Sequence, residues 1–371
     1  MLKLVKLAAR TGLALSLFGL ALAPLPGYAV GGGNTPMTRM DGNNRQNTAI
    51  GMCEEMYPTA GTADHLVLVA KDNYADAVVA GPFAAMKGAC VLLTGKDSLD
   101  ADTADEILRV LKVDSSTSPD VYAIGGDQVL SQDVIDAVAA LRSDIIVERI
   151  SGATRLHTGV AVAEKMDQIR GEGPKWVFIT DGYSFADSVA SAGVGANNTV
   201  CPGYMPILLV TKDDLPQVVE DYLRANAIVV TTGTPPTPKI EKAFVVGGEA
   251  RVSQAVYDEI DTIVDQMERI AGDTRYDTAA ALAERFYGSG NPPTKFAAAR
   301  GDEWADSLSA APFIGKKKMP LLLVKPDELV GETASYLTTY ASTITTGYVI
   351  GGTLAVSDAV KAAMEAIYMA L

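Results

Sequence analysis

The chain of 371 residues is 48% hydrophobic and carries a formal net charge of −14 at pH 7, so it has enough apolar side chains for two or three folded domains. Its acidic excess argues against nucleic acid and against nonspecific adhesion to anionic surfaces, because phosphate binding depends on Lys and Arg. An anionic partner would therefore have to meet a local basic site or a bridging cation. The only dense basic run in the sequence, Lys316–Lys318, predicts a solvated loop.

The first 29 residues predict a secretory signal peptide. Basic residues precede the apolar run Gly12–Ala23, and small residues follow at Gly27 and Ala29, which predicts cleavage after Ala29. Pro24 ends the apolar run well before the roughly 20 residues that a membrane anchor needs. We therefore expect an exported protein with a short linker at 30–38 and no membrane contact after cleavage.

One sequence unit follows three times. Each copy opens with the pattern R-x-x-G-x-x-R-x-x-T before a helical sequence, in Arg39–Glu54, Arg149–Glu164 and Arg269–Glu284. An Ala-Asp pair comes next, at Asp76, Asp187 and Asp306. Apolar runs follow at Val91-Leu92-Leu93, Ile207-Leu208-Leu209 and Leu321-Leu322-Leu323. A strand ending in Gly-Gly then leads to Ser131, Ser253 or Ser357.

Short apolar strands alternate with helical stretches in every unit. This alternation is typical of a parallel sheet with helices on both faces, so we predict an α/β protein of three tandem Rossmann-like, doubly wound domains. The repeat motifs divide the chain into domains at 39–148, 149–268 and 269–371. Since linkers are nearly absent, we expect the domains to pack as a pseudo-threefold triangle, with an open row as the alternative.

The second unit is the most individual. Asp187 and Ile207 are 20 positions apart, whereas Asp76 and Val91 are 15 apart, so an insertion, ANNTVCPGY at 196–204, precedes its apolar run. Its Pro-rich stretch at 231–239 predicts a surface loop.

These ordered motifs resemble the cell-wall-binding repeat type 2 family, found on the surfaces of clostridia and related Gram-positive bacteria, usually as three tandem copies. The resemblance covers Arg39 to Leu371. It implies a noncovalent wall anchor that binds an anionic secondary cell-wall polymer or a peptidoglycan-associated glycan. In the family an Ile-Leu-Leu segment is tied to this binding, which points to Ile207-Leu208-Leu209. The copies at Val91-Leu92-Leu93 and Leu321-Leu322-Leu323 depart from it at the first position.

The recurring polar residues allow two interpretations. Arg45, Arg155 and Arg275 could grip a polymer phosphate, because a guanidinium offers a planar fork of donors. They could also pair with Asp76, Asp187 and Asp306 and fix the packing of the domains, which is the interpretation that we favour. Thr48, Thr158 and Thr278 precede helical sequence and predict helix N-caps, as do the serines after each Gly-Gly pair.

The three cysteines, Cys53, Cys90 and Cys201, give an odd count at positions that are not equivalent between units. We therefore expect small buried side chains and no disulfide framework. The two histidines, His65 and His157, lie in no metal-binding or catalytic motif, so no cofactor, metal or catalytic residue is predicted.

The sequence thus predicts a noncatalytic, exported cell-wall-binding protein. The alternatives are a structural surface-layer or adhesion protein, whose partners would be other surface proteins, and, with less support, a wall hydrolase.

Overall fold

The computed structural model describes residues 34–113, 117–227, 240–304, 306–307 and 309–370. The predicted signal peptide and the Pro-rich loop at 231–239 lie outside these residues. No helix within the described ranges combines the length and the apolar composition needed to cross a membrane.

Twelve helices and twelve strands, all of them in the described residues, alternate along the chain. The first eight elements are β1 (Thr38–Met40), α1 (Arg45–Met56), β2 (Leu66–Ala70), α2 (Tyr74–Met86), β3 (Cys90–Thr94), α3 (Ala101–Val110), β4 (Val121–Ile124) and α4 (Gln132–Ala140). The next eight are β5 (Val147–Ile150), α5 (Arg155–Arg170), β6 (Trp176–Asp181), α6 (Phe185–Gly195), β7 (Ile207–Val210), α7 (Gln217–Ala227), β8 (Lys242–Val246) and α8 (Gln254–Asp261). The last eight are β9 (Gln266–Ile270), α9 (Arg275–Tyr287), β10 (Lys295–Arg300), α10 (Ala310–Lys317), β11 (Leu321–Val324), α11 (Gly331–Tyr340), β12 (Thr346–Ile350) and α12 (Asp358–Tyr368).

The strands form three parallel four-stranded sheets in the orders β3-β2-β4-β5, β7-β6-β8-β9 and β11-β10-β12-β1. Alternate residues of one strand face different cores: Phe178 belongs to a core shared by all three units, whereas Val177 and Ile179 belong to a core of the second unit alone. Apolar packing on both faces explains why the strands read as continuous apolar runs. The predicted fold class, three tandem doubly wound α/β domains, is confirmed.

The fourth strand of each sheet is supplied by the beginning of the next unit. Strand β5 pairs with β4, and β9 pairs with β8. The third sheet is completed by β1 from the start of the chain, where Arg39 lies opposite Val349. The boundaries drawn on the repeat motif, 148/149 and 268/269, therefore fall inside β5 and β9.

Helices α2, α6 and α10 pack against one another at the centre of the molecule. Around them, α5 packs on α2, α9 packs on α6, and α1 packs on α10. Gly81 allows a close approach at the centre, since an added Cβ would come 2.5 Å from the Cβ of Ala311. These cyclic contacts form the predicted triangle and not an open row.

The expectation of small buried side chains without a disulfide is wrong for two of the three cysteines. Cys53 on α1 and Cys90 on β3 form a disulfide, because α1 packs directly on β3 and brings two positions 37 residues apart into contact. Cys201 is a buried free thiol whose pKa is raised by burial.

Candidate functional site

The region where each unit meets the next repeats three times around the ring. We call these regions the first seam (α2 with α5), the second seam (α6 with α9) and the third seam (α10 with α1). Each R-x-x-G-x-x-R-x-x-T motif crosses a seam, because its first residues belong to the edge strand of the preceding sheet and its last residues begin the next helix.

The first arginine of the motif hydrogen-bonds the edge strand to the Gly-Gly turn of the preceding unit. For the first unit, the preceding unit around the ring is the third. Arg149 Nη1 donates to the carbonyl of Gly125 at 2.7 Å, and Arg269 Nη1 to that of Gly247 at 3.0 Å. Arg39 Nη1 makes the same bond to Gly351 at 2.8 Å. Sequence reasoning gave these arginines no role, although their recurrence in the motif was the available signal.

The second arginine of the motif lies between its own unit and an aromatic residue of the preceding one. Arg45, Arg155 and Arg275 donate to the carbonyls of Lys71, Gly182 and Gly301 at 2.8, 3.0 and 2.8 Å. Their guanidinium groups lie 4.9 Å from the ring centroid of Trp304, 5.7 Å from that of Tyr74 and 5.3 Å from that of Phe185, respectively. Each arginine therefore joins two units by a cation–π contact.

The ion pair favoured from the sequence is not formed as a direct contact. Within the described chain no bridge of 4 Å or less joins Arg45, Arg155 or Arg275 to the repeated aspartates. Arg45 instead pairs with the exposed Asp72 at 3.1 Å. The repeated arginines act on the aspartates only through longer-range attraction, which lowers the pKa of each carboxyl against the larger effect of burial.

The predicted N-cap role of the repeated threonines is also wrong. The helices begin at Arg45, Arg155 and Arg275, so Asn44, Thr154 and Thr274 are the N-caps. Thr48, Thr158 and Thr278 are buried in the first turn instead.

Their hydroxyl groups form hydrogen bonds within the motif and across a seam. Thr158 Oγ1 and Thr278 Oγ1 accept from the backbone N–H groups of Gly152 and Gly272 at 3.2 Å. Thr48 Oγ1 donates across the third seam to Asp306 Oδ1 at 3.1 Å. The predicted caps at Ser131, Ser253 and Ser357 are N-cap residues of α4, α8 and α12.

The repeated aspartates lie against the Gly-Gly turns. Burial raises the pKa of Asp76 to about 7 and also raises those of Asp187 and Asp306. The first glycine of each turn has a positive φ, and an added Cβ would come within 3 Å of the carboxylate: Gly125, Gly247 and Gly351. The Gly-Gly pairs are therefore tight turns that let the backbone approach a carboxyl group.

The second seam opens into a cleft of about 350 Å³. It is lined by Asp187, Gly248 and Arg251 of the second unit and by Gly272 and Arg275 of the third. The exposed side chain of Arg251 forms no hydrogen bond or ion pair with any residue of the described ranges, and only its backbone N–H is bonded, to the carbonyl of Gly248 at 2.8 Å. The equivalent positions in the other Gly-Gly turns are Val129 and Ala355, so the second unit alone has an arginine at this position of the turn.

The apolar runs that the family resemblance tied to polymer binding are buried. Val91-Leu92-Leu93, Ile207-Leu208-Leu209 and Leu321-Leu322-Leu323 lie in β3, β7 and β11, and their side chains are at most 4% exposed. Direct contact between these side chains and a polymer is therefore excluded in this conformation. Any contribution from them is indirect, through the loops that the strands position.

The histidines make local contacts. His65 Nδ1 lies 2.9 Å from the carbonyl oxygen of Pro119, and burial lowers the pKa of this histidine. His157 Nδ1 lies 2.9 Å from Thr154 Oγ1 at the start of α5. Within the described ranges no group of three His, Cys, Asp or Glu side chains could hold a metal ion.

Comparison with known families gives one clear match. Residues 39–135, 149–257 and 269–361 match the model of the family described as cell wall binding domain 2. These three segments open at the arginines that begin the three repeats.

Two curated proteins of Bacillus subtilis (strain 168) are similar in sequence. The N-acetylmuramoyl-L-alanine amidase LytC is 29% identical over 322 residues, which covers 87% of this chain and 56% of the relative. The amidase enhancer is 29% identical over 312 residues, which covers 84% of this chain and 38% of the relative. The chain thus spans about half or less of these relatives.

Two solved structures from Clostridium difficile share the fold. Cwp8 superposes with a TM-score of 0.76 at 25% identity, over 90% of this chain and 52% of Cwp8. Cwp6 superposes with a TM-score of 0.74 at 24% identity, over 91% of this chain and 48% of Cwp6.

Proposed function

Because the chain belongs to the cell wall binding domain 2 family, we propose that it is an exported, noncatalytic protein that attaches noncovalently to an anionic secondary polymer of the cell wall. Its partner is an acidic wall glycan. The three domains, packed as one ring, bind this glycan together. Binding requires no covalent chemistry by the protein. The proposed location is the outer cell surface, in the wall.

The observation that carries this proposal is the cleft at the second seam. The side chain of Arg251 is exposed and unpaired within the described ranges, and Arg275 of the next unit also lines the cleft while donating through Nη1 to the carbonyl of Gly301. Two guanidinium groups facing one cleft suit a phosphate or carboxylate, to which they can donate charge-assisted hydrogen bonds. A chain with a net charge of −14 needs such a local basic site to bind an anionic polymer.

The acidic residues of the cleft fit this use. Asp187 is buried, and burial raises its pKa, so its carboxyl offers little surface to an anionic ligand. The exposed Asp273 lies at the mouth and is screened by solvent.

A binding assay with purified wall sacculi tests the proposal. The mature protein, residues 30–371, is expected to sediment with sacculi and to remain in solution after acid extraction of the secondary polymer. Arg251→Gln is expected to weaken binding about tenfold, because a hydrogen bond to a charged group contributes roughly 1.5–3 kcal/mol.

The matched control is Arg224→Gln, since Arg224 is also exposed but lies on α7, away from the seam. Unchanged binding to extracted sacculi would rule out the polymer as the ligand, and equal binding by the two variants would rule out the second seam. Release of sugars or peptides from the sacculi would instead favour a wall hydrolase. Lattice formation by the isolated protein would favour a surface-layer role.

A further inference from the structure

We propose that a second pocket, on the central axis of the ring, binds a single acidic sugar residue, a pyranose that carries a carboxylate or a phosphate. The pocket has a volume of about 290 Å³ and takes residues from all three units. Its walls include Tyr57 and Gly88 of the first unit, Asn198 and Tyr204 of the second, and Lys316 and Lys318 of the third. We call it the axial pocket.

The axial pocket lies on the opposite face of the ring from the seam cleft. The cleft is lined by residues at the start of α6, including Asp187, whereas the pocket is lined by Ala196 at its end. Helix α6 has 11 residues, so about 16 Å separates the two sites along this helix. A change in one site therefore leaves the side chains of the other untouched.

The sequence features that distinguish the units meet in this pocket. Asn198 and Tyr204 belong to the insertion of the second unit, and Lys316 and Lys318 belong to the basic run of the third. Both features also contribute to the seams, since Lys316 donates to the Met56 carbonyl of α1 and Asn197 of the insertion donates to Tyr287 Oη of α9. Their convergence with Tyr57 gives the pocket a composition that no single unit could supply.

The backbone at Lys318 is the strongest sign that the pocket is built for a ligand. Lys318 adopts the left-handed conformation, with φ 57° and ψ 55°, and is the single non-glycine residue with positive φ in the described residues. At the corresponding position after α2 the first unit has Gly88, with φ 66°. Glycine adopts this conformation without the clash that a Cβ introduces, so Lys318 costs local stability, and strain of this kind clusters at functional sites.

Helix C-termini attract cations in general, which accounts for lysines near the ends of α2 and α10 but not for a strained one. The ammonium of Lys316 is already engaged, because it donates to the carbonyl of Met56 at 2.5 Å and lies 4.3 Å from the Tyr57 ring centroid. Lys318 is exposed and has no ion pair within the described ranges. Its ammonium is therefore the group left to meet an anion.

The remaining walls suit a sugar ring. The half-buried Tyr57 and Tyr204 present apolar ring surface for the C–H groups of a pyranose and hydroxyl groups for its oxygens. The exposed amide of Asn198 can both donate and accept. Ligand pockets typically combine such an apolar surface with a few polar groups that fix orientation, and about 290 Å³ accommodates one ring and not a drug-sized molecule.

NMR titration of the mature protein with D-glucuronic acid, glucose 6-phosphate, methyl glucoside and inorganic phosphate tests the proposal. The two acidic sugars are expected to shift resonances of Asn198, Tyr204 and Lys318, and the neutral sugar is expected to bind at least tenfold more weakly. Inorganic phosphate binding as tightly as the sugars would mean an adventitious anion pocket and would overturn the assignment.

The variant Lys318→Gly distinguishes a ligand-binding role of Lys318 from a purely structural one. It is expected to raise the melting temperature by about 1–2 °C, because the strain is removed, and to weaken binding of the acidic sugars about tenfold. Lys318→Gln is expected to lose the same affinity without the gain in stability, and Lys212→Gln, at a remote exposed lysine, is expected to change neither. Unchanged affinity in both Lys318 variants would refute the axial site, whereas the sacculus assay with Arg251→Gln reports on the seam cleft alone.

Discussion

A buried acid in each unit is the most informative feature at the scale of single residues. Asp76 is 2% exposed and has a pKa raised to about 7 by burial. Between about pH 4 and pH 7 the native state therefore holds a proton that the unfolded state has released. The stabilisation by this proton is complete below about pH 4 and is lost as the pH rises through 7.

We predict that Asp76→Asn flattens this pH dependence. An amide resembles the protonated carboxyl and does not ionise, so the variant and the wild type should unfold at similar urea concentrations at pH 5. At pH 8 the variant should be more stable by roughly 2–3 kcal/mol, because each pKa unit corresponds to about 1.4 kcal/mol.

Urea unfolding at both pH values, with Asp72→Asn as a control for the loss of one exposed carboxyl group, measures the difference. Asp187 and Asp306 also have raised pKa values, so the wild type keeps a pH dependence of its own and only the comparison is diagnostic. An equal loss of stability in the wild type and in Asp76→Asn between pH 5 and pH 8 would contradict the assignment.

Several residue roles could not be predicted from the sequence for geometric reasons. The positions of the cysteines are not equivalent between units and so give no sign of a disulfide, whereas the Cys53–Cys90 pair depends on α1 packing on β3. Thr48 precedes an apolar helical pattern, but the helix begins three residues earlier at Arg45. The repeated arginines do not pair with the repeated aspartates, because the partners that all three share are backbone carbonyls and aromatic rings, which the spacing of charged residues cannot indicate.

At the scale of elements, the turn between each Gly-Gly strand and the helix that follows it places the strictest requirement on residue type. Gly351 has a φ of +105°, and an added Cβ would lie 2.7 Å from Asp306 Oδ2 and 2.8 Å from the Cβ of Ala355. Its neighbour Gly352 has no atom within 4 Å of an added Cβ and no positive φ. Gly352 therefore has room for a Cβ atom, whereas Gly351 does not.

We predict that Gly351→Ala lowers the free energy of unfolding by about 1–3 kcal/mol, through backbone strain and displacement of Asp306. Gly352→Ala is the matched control and should change it by less than about 0.5 kcal/mol. Thermal and urea unfolding of the two variants measure the effect. Equal stability of the two would show that the turn relaxes without cost.

Local patterns were sufficient to predict the helices and strands. They did not predict that the first strand of each repeat pairs with the sheet of the preceding unit. The alternation of apolar strands and helices predicted the parallel sheets, and each apolar run lies in a strand of a sheet. The segment VERI at Val147–Ile150 begins the second repeat by motif yet pairs with β4 of the first. Since pairing partners depend on tertiary packing, a sequence repeat does not reveal which sheet its first strand joins.

At the scale of the whole molecule, the ring is closed by the strand nearest the N-terminus. Strand β1 pairs with β12, and Met37 and Met40 are buried in the third unit and in the shared core. Arg39 adds an ion pair to Asp358 at 2.9 Å. The other two sheets receive their fourth strand from a covalently continuous neighbour, so this closure is the one link that depends on the two distant ends of the chain meeting.

We predict that a chain beginning at Asp41 is less stable than the mature protein by about 3–6 kcal/mol, because burying each methionine contributes roughly 1.5–3 kcal/mol. The unpaired edge of β12 should also promote dimers. A peptide of residues 34–42 added in trans should restore the melting temperature and the monomer, whereas a peptide with Met37→Ser and Met40→Ser should restore neither. Calorimetry and analytical ultracentrifugation report the two effects. A truncated chain that melts like the mature protein would mean that the ring holds without β1, through the packing of α1 on α10 alone.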